Sequence, residues 1–416
     1  MARVKLIDLY KCVESALVTI GVGKAALETY QSIGFRPLKH FFEERDCAYY
    51  SKKLADEFFE KTLNAYKSNV ISVDRYRRIR KVVTMLDEYS KTGTIKWRQL
   101  PMYSVPSLTC KRFESILTRY LENISSKKGY ALSTINRHRG TVKHFLLYLE
   151  GHGYKKLSRL PRTTVSAYIP FIAKKQASGI SDILCVLRMF LTFLHENKHI
   201  DSELVSALPR YPAKRNKHFT GFTQKEASAL IDAVPTDTHQ GKRNIAIFML
   251  AENTGLRAMD ISKMKLSDID WRNKTISIIQ HKTRRPLILP FENRVGDALA
   301  EYILHARPES ESPFIFLTLR RPIRPVTTYT LYSALLKYTK QLNAESKSPL
   351  PTGFHCFRRG IGTWLLEAEL PLTMISEILG HAHVDSAKPY LSTDLDGLRE
   401  CAIGLEGIEI REGMFQ

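Results

Sequence analysis

Residues 208–219 read LPRYPAKRNKHF, and residues 220–226 continue TGFTQKE. The first stretch holds two prolines among a cluster of cations. Proline fixes φ and withholds a backbone donor, so this segment cannot continue a helix, and its charge makes it a poor core. It reads as a linker over 208–219. Directly after it, Thr223-Gln-Lys-Glu226 has the form of a capping box. In that arrangement the Thr223 hydroxyl accepts from the backbone of Glu226, whose carboxylate reaches back. A helix, and with it a new domain, is expected to open at Thr223.

Outward from this boundary the two halves differ. Upstream, residues 132–150 place Ile135, Val142, Phe145, Leu146 and Leu149 at helical spacing. Arg137, His138, Arg139 and Lys143 are expected on the other face, where a basic stripe suits a DNA backbone and equally a plainly solvated surface. Residues 1–95 also read as helical. Residues 26–63 echo residues 134–172: each gives a helix ending in an L/V-K-H-F core, a polar turn and a second helix, the pattern of a duplicated module. A break at 96–107, with Pro101 and Pro106, separates the copies. Downstream, Thr275–His281 and Pro286–Pro290 are short β-rich runs joined by Lys282-Thr-Arg-Arg285, which reads as a hairpin between helices. The expected fold class is mostly α and multidomain, with a mixed α/β back domain holding a small antiparallel sheet. The expected domains are 1–100, 101–207, a linker at 208–219, and 220–416.

A chain of 416 residues is too long for one compact core, and an apolar fraction of 44% suffices for several. Lys plus Arg exceeds Asp plus Glu by 63 − 42 = 21. So basic a protein usually meets a polyanion, nucleic acid first, because each cation that neutralises a phosphate releases a counterion. The blander reading is a basic surface that serves solubility alone. Cys12, Cys47, Cys110, Cys185, Cys356 and Cys401 are scattered and form no C-x-x-C pair, which argues against a zinc site or a disulfide framework. No apolar run approaches a membrane span, and the longest compact one, Ile245–Ala251, reads as a buried helix. The N-terminus, with Arg3 and Lys5, lacks the apolar stretch and cleavage site of a signal peptide. The expectation is a cytoplasmic protein with access to DNA, with no membrane contact, no metal and no cofactor.

Four segments of the back half carry groups suited to one chemistry. In Asn253-Thr-Gly-Leu-Arg257-Ala-Met-Asp260, Gly255 can end a helix by taking positive φ. Arg257 then opens the next helix, with Asp260 one turn along to hold it. The second segment is the hairpin tip with Lys282. The third, His355-Cys-Phe-Arg358, puts an imidazole and a guanidinium on one helix face. The fourth is Leu379-Gly-His381, followed nine residues later by Tyr390. Each alone has a dull explanation: a solvated turn lysine, a polar pair facing water, a packing tyrosine. Their joint occurrence in this order shifts the balance.

That order and spacing resemble the tyrosine recombinase family, also called phage-type integrases. The resemblance covers residues 220–400, extends to 107–207 as the family's helical core-DNA-binding domain, and is loose over 1–95. It implies Arg257, Lys282, His355, Arg358, His381 and Tyr390 as the catalytic set, with Asp260 as a supporting acid. It also implies a homo-oligomer on DNA, a tetrameric synapse, with accessory DNA-bending or directionality proteins as candidate partners. Arg137, Arg139, Lys143 and the linker cations Lys214, Arg215 and Lys217 are the candidate phosphate contacts.

Physical chemistry suits the same set. A phosphodiester attacked in line gathers negative charge on its non-bridging oxygens, and two guanidiniums can grip these with paired donors. Arg257 and Arg358 would thereby do what magnesium does in many nucleases. A phenol with pKa near ~10 needs its proton removed, and His355 can serve as general base. Lys282 can protonate the leaving 5′ oxygen, and His381 can hydrogen-bond the phosphate. A 3′-phosphotyrosyl link keeps the energy of the broken bond, so rejoining needs no ATP. Gly21-Val-Gly23-Lys24 has the wrong length for a phosphate-binding loop.

Three positions depart from the family's pattern. Cys356 stands where the family often has an acidic residue, and reads as a small core residue. Pro389 disfavours helix at Lys388, which sets Tyr390 at a helix start or in a turn. His383 pairs with His381, but no third ligand accompanies them, so it reads as a solvated neighbour. Beyond Tyr390, Leu395, Leu398, Cys401, Ala402 and Leu405 are expected to share an apolar helix face for packing or, by the resemblance, for docking on a neighbouring protomer. The leading expectation is a site-specific recombinase or integrase of a mobile element. The alternatives are a type IB topoisomerase-like DNA relaxase and a catalytically silent DNA-binding regulator.

Overall fold

A computed structural model describes residues 4–97, 100, 107–175, 179–200, 202–209, 221–344, 349–381 and 383. Most of the expected break at 96–107, the linker cations Lys214, Arg215 and Lys217, and Tyr390 with its following segment lie outside the described residues. The chain divides into two compact units: residues 99–217, and the flanking stretches 1–98 and 218–416 together. No described helix is long and apolar enough to cross a membrane.

The first stretch is helical as expected: α1 (Leu6–Thr19), α2 (Lys24–Thr29), α3 (Arg36–Glu43), α4 (Lys52–Lys67) and α5 (Val73–Thr92). Leu9, Leu17, Phe35, Leu38, Phe42, Val82 and Leu86 close its core. The middle unit holds α6 (Lys111–Lys128), α7 (Leu132–Gly151), α8 (Arg162–Lys175), α9 (Ile180–Glu196) and α10 (Ser202–Ser206). The echoed segments share a helix, turn and helix, with Phe41 and Phe145 buried alike. They differ in that a π-helical turn at Tyr30–Phe35 interrupts the first copy, whereas α7 is continuous.

One expectation for α7 is corrected. His138 is buried at 2% exposure, and its Nδ1 lies 2.7 Å from the Tyr120 hydroxyl. It stands four residues before Val142 and seven before Phe145, so helical periodicity turns it inward with them. Arg137 and Arg139 are exposed and Lys143 is half-buried. Arg137 lies 3.7 Å from Asp182 of α9.

The second flanking stretch opens with α11 (Gln224–Asp232) behind the capping box read from the sequence. Glu226 N donates to Thr223 Oγ1 at 3.2 Å, and Thr223 N donates to Glu226 Oε2 at 2.8 Å. There follow α12 (His239–Thr254), α13 (Ala258–Ser262), β1 (Ile269–Asp270), β2 (Thr275–Ile279), β3 (Pro286–Pro290), α14 (Asn293–His305), α15 (Thr328–Asn343), α16 (His355–Glu367) and α17 (Leu372–Ile378). The strands form an antiparallel sheet in the order β1-β2-β3, with Ser277 opposite Ile288. The hairpin was legible; β1, two residues long, is too short to show a period of two. α12 carries the apolar run expected to be buried, and Phe248, Leu250, Leu299, Leu331, Leu335 and Phe357 build the core around it.

Candidate active site

The site is assembled from three helix ends and one hairpin. Gly255 ends α12 at φ +61, its N–H donating to Ala251 O at 3.0 Å. This left-handed turn is where glycine carries no steric cost, and it sends Arg257 to the start of α13. Arg257 is half-buried in extended backbone (φ −69, ψ 146), and its Nη1 is buried with no hydrogen-bond partner among the described residues. Asp260 does not hold Arg257. Its Oδ1 instead accepts the backbone N–H of His281 at 2.8 Å. Residues three apart face each other only when both lie within the helix, and Arg257 sits just outside it. The acid therefore clamps the hairpin next to Lys282. Lys282 itself is exposed and makes no ion pair or side-chain hydrogen bond with the described residues.

Arg358, in the first turn of α16, is 2% exposed. Its Nη1 donates to Gly255 O at 3.1 Å and its Nη2 donates to Leu379 O. One guanidinium thus ties the end of α12 to the end of α17. There Leu379 N bonds Ile375 O at 3.0 Å, Gly380 takes φ +59, and His381 N bonds Ser376 O at 2.8 Å. These bonds close the helix and fix the direction in which His381 leaves it.

Electrostatics show how near these groups stand. His355 is pushed down to about 4 by desolvation first, then by the positive charges of Arg358, Arg359, Arg257 and Lys282. The residue remains solvent-exposed overall, which fits a ring crowded by protein on one side and open on the other. His381, half-buried, is also held at about 4, by desolvation and then by Arg358, Arg257 and His355. Groups from positions 257, 282, 355, 358 and 381 therefore occupy one neighbourhood. Like charges gathered this way repel, and an anion placed among them relieves the repulsion and can also satisfy the buried Nη1 of Arg257. Both imidazoles are neutral at pH 7, so one can take a proton and the other can donate a hydrogen bond.

Cys356 is a core residue, as expected. It is 4% exposed, burial raises its thiol pKa, and its carbonyl accepts Phe222 N at 3.1 Å. His383 is exposed. Sequence reasoning passed over Gln280 and Thr283, which lie at the base of the Lys282 turn. Gln280 is fully buried. A polar residue at a strand end looks like an ordinary turn residue, and only tertiary packing shows it inside.

Two family descriptions match the chain: "Phage integrase family" over residues 221–395 and "Phage integrase, N-terminal SAM-like domain" over residues 117–198. The Sinorhizobium fredii protein named "Putative integrase/recombinase y4gC" is 34% identical over 184 residues, which is 44% of this chain and 94% of that protein. The chain belongs to the phage integrase family of tyrosine recombinases. Tyrosine recombinase XerC of Bacillus licheniformis is 26% identical over 299 residues, 69% of this chain and 94% of the relative. In structure, a lambda integrase dimer bound to a core site matches 73% of this chain and 99% of its own, at 19% identity and a TM-score of 0.53, so the fold is shared. The protein is a site-specific DNA recombinase, an enzyme that cleaves and rejoins DNA strands.

Proposed function

We propose that this recombinase cuts double-stranded DNA through Tyr390 and serves as the integrase of a mobile element. One observation supports the reading above others: Arg257, Lys282, His355, Arg358 and His381, spread over 125 positions (381 − 257 + 1), share one electrostatic neighbourhood. The phenol of Tyr390 loses its proton to neutral His355 and its oxygen attacks the phosphorus. The new Oη–P bond forms as the P–O5′ bond breaks, and O5′ takes a proton from the Lys282 ammonium. Arg257 and Arg358 carry the growing charge on the non-bridging oxygens, and His381 hydrogen-bonds one of them. The products are a 3′-phosphotyrosyl link and a free 5′ hydroxyl. Attack by the 5′ hydroxyl of another strand reverses the step and completes exchange.

Arg137, Arg139, Lys143, Lys214, Arg215 and Lys217 contact backbone phosphates in this reading. The working species is a homo-oligomer, a tetramer on paired sites, aided by accessory DNA-bending or directionality proteins. It works in the cytoplasm, where the DNA lies. The name "Putative integrase/recombinase" borne by the relative y4gC supports the mobile-element role.

The test is covalent capture. The protein is incubated with nicked duplexes made from fragments of the genome that encodes it. After denaturation, the attached DNA is sequenced and the linked peptide mapped. Attachment is expected at Tyr390, and Tyr390→Phe should bind the captured duplex yet form no adduct. An adduct on any other residue refutes the assignment.

A further inference from the structure

The Lys282 turn is held from beneath by a side chain that takes no part in the chemistry above. Gln280 is 0% exposed. Its backbone closes the turn: Gln280 N donates to Arg285 O at 2.9 Å, and Gln280 O accepts from Arg284 N at 2.9 Å. Its side chain reaches in two directions. Oε1 accepts the Thr283 hydroxyl at 2.5 Å, and Nε2 donates to Leu379 O at 3.5 Å. Leu379 O can only accept, so it fixes which end of the amide faces it. The same carbonyl receives Nη2 of Arg358. The amide also lies flat against the next residue: a Cβ on Gly380 would stand 2.4 Å from Nε2.

Burying an amide is costly unless its hydrogen bonds are made, so a Gln here needs a reason beyond filling space. An apolar side chain of similar size would fill the volume but would tie neither Thr283 nor Leu379. The residues flanking Lys282 are thus all anchored: Gln280 to the α17 turn, His281 to Asp260, and Thr283 to Gln280. Lys282 itself is exposed, and its side chain makes no hydrogen bond or ion pair with the described residues. Its ammonium rides on a long flexible stem, so its concentration at a leaving oxygen depends on where its backbone is held.

We propose that Gln280 is a positioning residue: through Thr283 and the Leu379 carbonyl it holds the hairpin so that Lys282 meets the leaving O5′ at the distance set by Arg358 and His381. This rests on Lys282 being the acid that protonates O5′.

The experiment separates the two claims. The full-length protein is given the captured duplex in two forms, with oxygen or with sulfur at the 5′ bridging position. A departing thiolate is far less basic than an alkoxide and leaves without a proton, so the sulfur substrate bypasses the acid. Gln280→Ala is expected to slow single-turnover cleavage of the oxygen substrate by about 10- to 100-fold and Lys282→Ala by more, with both restored on sulfur. Thr283→Val, which removes the hydroxyl that Oε1 accepts, should show a smaller defect with the same preference for sulfur, and serves where Gln280→Ala folds poorly. DNA affinity should stay at the parent level. If Lys282→Ala recovers on sulfur while Gln280→Ala and Thr283→Val remain equally slow on both substrates, Gln280 does not act through Lys282. If Lys282→Ala does not recover on sulfur, the acid role falls and the positioning role falls with it.

Discussion

Replacing Gly380 with alanine tests the packing of the site directly. Gly380 has φ +59, a conformation that costs a residue with a Cβ about 1–2 kcal/mol. The added methyl would also stand 2.4, 2.7 and 2.8 Å from Nε2, Cδ and Oε1 of Gln280, well inside normal contact. Gln280 is fully buried, so it cannot swing into solvent. It must shift by roughly 1 Å, which weakens its bonds to Thr283 and Leu379 at about 1 kcal/mol each. The expected loss is therefore about 3–4 kcal/mol. In a Gln280→Ala background no amide stands in the way, and Gly380→Ala should cost only its backbone strain, about 1–2 kcal/mol. The coupling of about 2 kcal/mol exceeds the few tenths expected of independent sites. Urea unfolding followed by tryptophan fluorescence measures it, because Trp97, Trp271 and Trp364 all lie in the unit that holds the site. Equal costs in the two backgrounds would refute the contact.

Two further outcomes follow from the same structure. His355 and His381 sit near 4 in the folded protein against 6.5 for the free side chain, so both stay neutral well below neutrality. The unfolded chain binds their protons first as pH falls, so stability is fully present above 6.5 and declines from there toward 4. Cleavage at limiting protein should accordingly hold its rate from pH 7 to about 5.5, and an acid limb centred near 6.5 would contradict the depressed values. In the middle unit, Tyr120→Phe takes the hydroxyl from His138 Nδ1 and should cost about 1–3 kcal/mol, read as faster hydrogen exchange across α6 and α7; unchanged exchange there would show that the buried pair contributes nothing.

The residues proposed for the chemistry could be read in the sequence because each has a local signature. Gly255 must end a helix and therefore places Arg257. Lys282 lies at the tip between two β-rich runs. His355 and Arg358 share a helical turn. What could not be read was how these segments hold one another. The partner of Asp260 lies 21 residues away on the hairpin, and Arg358 grips a carbonyl 103 residues away. Such main-chain acceptors are common to every residue and leave no trace in a pattern of side chains. His138 failed for another reason. A lone histidine reads as a surface residue by its polarity, while its spacing from Val142 and Phe145 points inward. Gln280 failed likewise, since burial of an amide depends on the partners that the fold delivers.

These ties give the site two mechanical parts. Arg358 fastens the end of α12 to the end of α17, so Arg257 and His381 are placed by one buried guanidinium and two helix-ending glycines. Nothing in that part can move far without exposing Arg358 or breaking a helix end, and both are costly. The hairpin joins it through Asp260 with His281 and through Gln280 with Leu379, and the second of these is a long bond at 3.5 Å. The groups proposed to meet the phosphate's charge thus stand on the stiff part, and the lysine proposed to protonate the leaving group stands on the part with the weaker tie. A phosphate must be gripped in the same place throughout the reaction, whereas a proton donor is needed only as the bond breaks. In the proposed oligomer, differences in rate between protomers that bind the same DNA equally well would then arise at the hairpin, because that is where a small free energy moves a reacting group.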